Sequence, residues 1–89
     1  MVYRMSPLTS PYSIYCFGVA RRVTGAAEVT LPLGAGATVA DLRAAVHAAY
    51  PAFAELAPFA VARNQAYATD DEALQPGDEL ALIPPVSGG

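Results

Sequence analysis

The chain has 89 residues and a mass of 9.2 kDa, the size of one small domain, which excludes a two-domain enzyme. A chain this short buries one modest core and leaves no room for a deep catalytic cavity as well. Five basic residues, all of them arginine, stand against eight acidic residues, so the net charge is -3. This balance disfavours a nucleic-acid partner and favours a basic protein partner.

Cysteine content and hydropathy indicate the cellular compartment in which the protein is expected. Cys16 is the only cysteine, so the chain forms neither an internal disulfide nor a metal site with two cysteine ligands. Residues 44–62 are the most membrane-like stretch, but a histidine, a glutamate and two prolines interrupt them. The N-terminus lacks an apolar run of signal-peptide length. These features predict a soluble, cytoplasmic protein without membrane association.

The N-terminal third predicts an arm followed by a β-hairpin. Residues 1–12 contain two prolines and show no hydrophobic period, which is typical of a flexible arm. The run Ser13–Ala20 is β-branched and aromatic at both parities, which predicts a strand buried on both faces inside a sheet. A second strand is predicted at Glu28–Leu31, where Pro32 ends it, and it should pair with the first.

Thr38 begins the one strongly predicted helix. Its hydroxyl can cap the helix, and Asp41, three residues later, completes a weaker version of a capping box. Pro51 ends the helix, because the residue before a proline is pushed out of the α region. Residues 53–57 are expected to add a short helical turn. The apolar stripe that should face the sheet consists of Val39, Leu42, Val46, Ala49 and Tyr50.

Three further strands are predicted after the helix, at Phe59–Arg63, Ala66–Ala68 and Glu79–Ile83. The pair Asn64-Gln65 and the run Gln75-Pro76-Gly77-Asp78 supply turns. Strands on both sides of one helix predict an α+β domain, with that main helix packed across one face of a mixed sheet of four to five strands.

The last predicted strand indicates a sheet face without a helix. Successive side chains of a strand point to opposite faces, so Leu80 and Leu82 share one face and Ala81 and Ile83 share the other. One helix covers one face only. The remaining face is expected to be buried against a partner.

Residues 85–89 are predicted to form an extended tail beyond a domain that spans residues 13–84. Prolines at positions 84 and 85 favour an extended path, and Gly88 and Gly89 carry no side chain that would exclude them from a narrow tunnel. The chemistry is therefore expected at the terminal carboxylate. The sequence has neither a phosphate-binding glycine loop with lysine nor a plausible pair of catalytic carboxylates, so a second, ATP-using protein must activate that carboxylate.

Several motifs are shared with a known family. They are Phe17-Gly18-Val19-Ala20-Arg21, Gly25, Asn64-Gln65, Gly77-Asp78-Glu79 and the terminal run Leu82-Ile83-Pro84-Pro85-Val86-Ser87-Gly88-Gly89. With these motifs the chain resembles the family of molybdopterin synthase small subunits. These subunits are sulfur carriers of the ubiquitin-like β-grasp class. The resemblance spans about residues 13 to 89, and its ending is the specific part. Arg63 departs from the family, which usually has an apolar residue there, and residues 1–12 are additional.

The resemblance implies a β-grasp fold and a role as a consumed co-substrate in molybdenum cofactor biosynthesis. A ubiquitin-activating-enzyme-like adenylyltransferase would use ATP to form an acyl-adenylate at Gly89, and a sulfur donor would convert it to a thiocarboxylate. The tail would then enter the large subunit of molybdopterin synthase, in a heterotetramer, and deliver sulfur to cyclic pyranopterin monophosphate. The chain would bind no cofactor or metal and would not be an enzyme on its own. Gly88 and Gly89 form the implied reacting end, and the implied partner-binding residues are Leu82, Ile83, Pro84, Pro85, Val86 and Ser87.

Alternatives stay open at this point. The chain could carry sulfur for thiamine thiazole, for cysteine or for protein modification, and only the proline pair favours molybdopterin. It could also be a non-covalent ubiquitin-like interaction module with an inert end. A self-contained hydrolase built on Asp41, His47 and Cys16 is disfavoured, because the first two lie on different faces of the predicted helix. The absence of lysine agrees with a carrier, because an activated terminus cannot then be joined to a lysine of another copy.

Overall fold

The computed structural model of the protein describes residues 9–56 and 58–84. Within them the chain forms five strands, two α-helices and one 3-10 helix. In chain order the elements are β1 (Thr9–Cys16), α1 (Val19–Thr24), β2 (Glu28–Gly34), α2 (Val39–Ala49), a 3-10 helix (Pro51–Glu55), β3 (Ala60–Arg63), β4 (Ala66–Ala68) and β5 (Leu80–Ile83).

The strands form one mixed sheet in the order β2-β1-β5-β3-β4. β1 and β2 form an antiparallel pair, and so do β3 and β4. β5 lies between the two pairs, parallel to β1 and antiparallel to β3. The predicted α+β fold with a mixed sheet and one main helix is therefore confirmed. The strand that leads into the C-terminus occupies the centre of the sheet.

The first hairpin is confirmed, but its strands are longer than predicted. β1 begins at Thr9, so the assignment of residues 9–12 to an arm was wrong; residues 1–8 lie outside the described residues. β2 continues through Pro32, which lies opposite Pro11. Both prolines are tolerated, because β2 is an edge strand and β1 pairs with β5 only from Ile14 onward. A proline at such a position forfeits no required ladder hydrogen bond.

β1 is buried on one face, whereas the sequence predicted burial on both. Tyr12, Ile14 and Cys16 are at most 3% exposed, and the residues between them point to the opposite, uncovered face. The prediction was wrong because it placed every apolar residue of this run in the core, whereas Tyr15 is exposed. An apolar side chain on an uncovered sheet face has the same sequence signature as one in a core.

A short helix, α1, occupies residues that the sequence assigned to the end of the first strand. β1 stops at Cys16, and Gly18 adopts φ 55° and ψ -129°, a conformation open essentially to glycine alone. Gly25 ends α1 in the left-handed conformation, and its N–H donates to the Arg21 carbonyl. Two glycines thus set the bounds of α1, which was missed because its six residues are too few to show a helical period.

The predicted helix α2 is confirmed, together with its cap. The Asp41 N–H donates to Thr38 Oγ1 over 3.4 Å, and the Thr38 N–H donates to Asp41 Oδ2 over 2.9 Å, so the capping box is complete. Val39, Leu42 and Val46 are at most 1% exposed and pack onto the sheet. Of the predicted stripe, Ala49 is exposed and Tyr50 is half-buried, since the helix ends there and Pro51 opens the 3-10 helix.

Replacement of Thr38 by alanine is expected to lower the free energy of unfolding by about 1 kcal/mol, because the Asp41 N–H in the first turn of α2 loses its acceptor, Thr38 Oγ1. Urea denaturation of Thr38→Ala, Asp41→Ala and the double variant measures this. The double variant should lose less than the sum of the two single variants, because each partner bonds the other. Strict additivity would contradict a reciprocal cap.

No helix in the described ranges is long and apolar enough to cross a membrane.

Candidate functional site at the C-terminal end of the sheet

The chain leaves the sheet at the end of its central strand. β5 ends at Ile83, and the next residue, Pro84, is half-buried against the turn between β1 and α1. A Cβ placed on Gly18 would lie 3.2 Å from Pro84 Cγ, so the two residues are in close contact. The predicted reacting end, Gly88 and Gly89, and the predicted partner-binding residues Pro85, Val86 and Ser87 lie outside the described residues. The structure therefore defines where the tail starts.

The two predicted partner-binding residues in β5 face opposite ways. Leu82 is 0% exposed and lies in the core with Ile14 and Val61, so its assignment to a partner surface was wrong. Ile83 is half-buried on the other face of the sheet. The alternation of a strand prevents both from facing one partner. Ile83 and Pro84 are the described residues of the predicted set that a docking protein can reach.

The sheet face opposite α2 is uncovered and apolar near this exit; we call it the open face. Tyr15, Ala81, Ala62 and Tyr67 lie in one register row across β1, β5, β3 and β4. Tyr15 is 38% exposed and Tyr67 is 74% exposed, while the alanines between them are half-buried. Small central side chains between two tyrosines make a trough that suits a bulky apolar group.

Two further features place the apolar part of the open face beside the tail. A recess of about 250 Å³ is lined by Ile83 together with Ala62, Gln65 and Tyr67. Phe17, the residue after β1, is 51% exposed. Sequence reasoning assigned Phe17 to a buried strand and did not mark Tyr15 or Tyr67 as surface residues. The signal that would have found Tyr15 is its place between the buried residues Ile14 and Cys16.

At the end of the sheet opposite the tail exit, a hydrogen-bond network is centred on Asp78. Its carboxylate accepts hydrogen bonds from Arg63 Nε over 2.6 Å, from the Gln75 N–H over 2.7 Å and from Asn64 Nδ2 over 3.0 Å. Asn64 also bonds the backbone of Glu79 in both directions. The turn between β3 and β4 is thereby joined to the loop before β5. Arg63, where the sequence departs from the resembled family, is part of this network, which we call the Asp78 clamp.

The same network sets the ionisation of Asp78. Burial of its side chain, which is 8% exposed, acts to raise the pKa, but the hydrogen bonds from Arg63, Gln75 and Asn64 outweigh burial and lower the pKa below its ordinary 3.8. A carboxyl whose pKa falls on folding stabilises the folded state when it is ionised. That contribution is complete above the ordinary pKa and is lost as the pH falls through the lower folded pKa.

Asp78→Asn is therefore expected to cost about 1–3 kcal/mol at neutral pH, through loss of a charged hydrogen-bond acceptor. The difference from the wild type should shrink as the pH falls below 3.8. Urea denaturation at several pH values measures both effects. Asp71→Asn is the matched control, because Asp71 is exposed and bonds the Thr69 hydroxyl within its own loop. Equal pH profiles for the two variants would contradict the clamp.

The side chains considered as a hydrolase set do not come together. Cys16 is buried and donates to the Ile14 carbonyl, Asp41 is engaged in the cap of α2, and the His47 ring stacks on Phe59 with 5.9 Å between centroids. Across the described part of the chain no group of three His, Cys, Asp or Glu side chains could hold a metal ion. The described residues at the tail exit therefore combine an uncovered apolar sheet face with the start of the C-terminal tail.

Comparison with known proteins extends this conclusion. The family described as the ThiS family matches residues 14–89. The chain belongs to the ThiS family. The match includes both the described sheet from Ile14 onward and the terminal Gly88 and Gly89, and residues 1–13 precede it. The predicted resemblance to ubiquitin-like β-grasp sulfur carriers is thereby confirmed.

Three relatives of this ThiS-family chain are informative. A molybdopterin synthase sulfur carrier subunit from Chlamydomonas reinhardtii is 47% identical over 76 residues, covering 82% of this chain and 92% of the relative. One from Arabidopsis thaliana is 36% identical over 77 residues, covering 85% and 80%. The crystal structure of SAMP1 from Haloferax volcanii superposes with a TM-score of 0.78 at 34% identity, covering 90% of this chain and 100% of that one.

Proposed function

We propose that this chain is the sulfur carrier subunit of a cytoplasmic molybdopterin synthase and that the Gly89 carboxylate is its working group. The observation that carries the proposal is the 47% identity to a molybdopterin synthase sulfur carrier subunit over 76 residues. The position of β5 supports it, because a tail that leaves the centre of the sheet beside an apolar open face can enter a partner that docks on that face.

The proposed reaction begins with activation. A carboxylate oxygen of Gly89 attacks the α-phosphorus of ATP on an adenylyltransferase, pyrophosphate leaves, and an acyl-adenylate forms. The outer sulfur of a persulfide donor then attacks the acyl carbon, AMP leaves, and an acyl disulfide forms. A thiol reduces its S–S bond, which releases the thiocarboxylate and leaves a disulfide between the donor and that thiol. The chain contributes no acid or base to these steps. Its part is to present an unhindered acyl carbon at the end of a narrow segment, since glycine has no side chain to block the approach.

In the second stage the thiocarboxylate sulfur forms a bond to cyclic pyranopterin monophosphate inside the large synthase subunit. Water then cleaves the acyl–sulfur bond, so that the sulfur stays on the pterin and the chain is released with an ordinary carboxylate. We place the large subunit on the open face, with Ile83 and the flanking residues Tyr15 and Tyr67 at the contact. Tyrosine is one of the residue types enriched among the hot spots of protein interfaces. Two small and two large subunits form the proposed heterotetramer.

Reconstitution with a large subunit tests the proposal. The chain is prepared with either oxygen or sulfur at Gly89, and intact mass verifies the exchange of one oxygen for one sulfur. Dithiolene product should form from the sulfur-bearing chain only, in a stoichiometric amount, with return of the oxygen-bearing mass. Product from the oxygen-bearing chain, or a sulfur-bearing chain that stays unchanged beside an active large subunit, would refute it.

Protein modification is a second candidate, favoured by one observation. The chain shares 34% identity and its fold with SAMP1, a small archaeal modifier protein in its H. volcanii form. In that case Gly89 would be joined to amino groups of other proteins. Mass spectrometry of cellular proteins for lysines joined through an amide bond to the C-terminal peptide of this chain, residues 64–89 after cleavage at Arg63, distinguishes the two, because a dedicated sulfur carrier leaves no such conjugate.

A further inference from the structure

The basic residues of this chain are chemically uniform. All five are arginine and none is lysine. A lysine amine becomes a nucleophile whenever it loses its proton, whereas an arginine guanidinium stays protonated in proteins and does not attack acyl groups. Apart from an amino terminus, the sequence therefore has no amine that could capture an activated carboxylate.

Two of these arginines lie close to the point where the tail leaves the sheet. Arg21 and Arg22 are exposed on α1, and with Gly18 and Gly25 they line an open recess of about 510 Å³. Gly18 is the residue in contact with Pro84, where the tail begins. Arg22 follows Gly18 by four residues, about 6 Å along a helix axis. The pair thus lies beside the start of the tail.

Neither of these arginines is occupied elsewhere in the described ranges. The ion pairs found there hold Arg43 to Asp70, and Arg63 to Asp78 and Glu72. Five residues follow Pro84, and they span at most about 17–18 Å. The terminal acyl carbon can therefore reach the surface of α1, and a lysine in place of either arginine would meet it at an effective concentration on the order of millimolar.

The only thiol of the chain is buried, so it is not available as a nucleophile at the surface. Cys16 is 2% exposed, lies at the end of β1 and donates to the Ile14 carbonyl. Thiolates are the strongest side-chain nucleophiles towards acyl groups, and burial in apolar surroundings suppresses them. Amine and thiol nucleophiles are thus both absent from the described surface around the tail exit, although positive charge is retained there.

We propose that this arginine-only surface protects the activated C-terminus from self-acylation, and that Arg21 and Arg22 are the positions where protection matters most. The reaction avoided is attack of an amine nitrogen on the acyl carbon of Gly89. The bond to the activating group breaks, the amine loses a proton, and a stable amide forms that no longer accepts sulfur. The inference rests on the proposed function, because it concerns an activated Gly89.

A chemically activated chain tests the inference without an activating enzyme. Full-length protein ending in an aryl thioester at Gly89 is prepared as wild type, Arg21→Lys, Arg22→Lys and Arg63→Lys, and incubated at mildly alkaline pH. Arg63→Lys is the matched control, because the same replacement there places the ammonium in an ion pair with Asp78, which favours its protonated, non-nucleophilic form, whereas no ion pair in the described ranges holds Arg21 or Arg22. Intact mass separates the hydrolysed acid from a self-amide that is lighter by one water.

The self-amide should form from Arg21→Lys or Arg22→Lys in a fraction at least about tenfold above that of the wild type and of Arg63→Lys. Peptide mapping should join the C-terminal glycine to the new lysine. Equal fractions in all four proteins, whether high or negligible, would overturn the inference.

A parallel incubation with an adenylyltransferase and ATP, without a sulfur donor, separates this result from the proposed function. Release of pyrophosphate in the presence of the wild-type chain reports adenylation of Gly89. Its absence would count against the proposed function, whereas the thioester comparison would still decide whether the arginines prevent self-acylation.

Discussion

Removal of Gly89 is expected to reduce sulfur transfer at least about 100-fold, because displacement of a reacting group by even 1 Å can cost that much and one residue spans about 3.5 Å. The new terminus would be Gly88, whose carboxylate stops short of the position that partner active sites are proposed to use. The fold should be unaffected. The core, the strand ladders and the Asp78 clamp all lie within the described residues and do not involve position 89.

Three measurements check this expectation. Intact mass after incubation with the activating partner reports sulfur loading, the synthase assay reports transfer, and thermal unfolding reports the fold. Removal of residues 1–4 is the matched truncation, since these residues precede the ThiS-family match at residues 14–89. Transfer by that variant should stay within about twofold of the wild type. A chain without Gly89 that still transferred sulfur at the wild-type rate would disprove the assignment of the working group.

Neighbouring residues of β5 should give opposite phenotypes. Leu82→Ala should lower the free energy of unfolding by about 3 kcal/mol or more, because Leu82 is 0% exposed and its removal leaves a cavity. Ile83→Ala should cost about 1 kcal/mol or less, because its side chain is half-buried on the open face. It should instead weaken the complex with the large subunit at least about tenfold, as the loss of an interface anchor does.

Urea denaturation and calorimetric titration with the large subunit separate the two effects. The affinity of Leu82→Ala should be measured at a temperature where the variant is folded, and there it should be close to that of the wild type. If Ile83→Ala bound normally while Leu82→Ala, fully folded, bound poorly, the docking surface would have to be moved to the other face of the sheet. A phenotype shared by both variants would leave no basis for the open face as the interface.

The elements that sequence reasoning predicted well are those with local signals. Thr38 and Asp41 specify a helix start by direct side-chain bonds, and Pro51 specifies its end. Asn64 and Gln65 both adopt positive φ, 53° and 71°, in the predicted turn between β3 and β4. Such signals depend only on residues that are neighbours in the sequence, so they can be recognised without knowledge of the fold.

The errors have a different origin. Tyr15 and Phe17 are apolar and exposed, and a sequence pattern cannot separate such surface residues from those of a core. The same ambiguity produced the wrong assignment of Leu82, since its side-chain type fits either role and only the strand parity decides. Parity depends on which face α2 covers, which is a property of the assembled sheet.

The central position of β5 has a consequence for biosynthesis. Ile14 pairs with Leu80, so the two halves of the sheet remain separate hairpins until a strand near the end of the chain has been made. A product truncated before residue 80 has no strand to join those hairpins. Completion of the sheet and appearance of the proposed carrier end are thereby coupled, because an unfinished polypeptide has neither a complete open face nor Gly89 to present to the proposed partners.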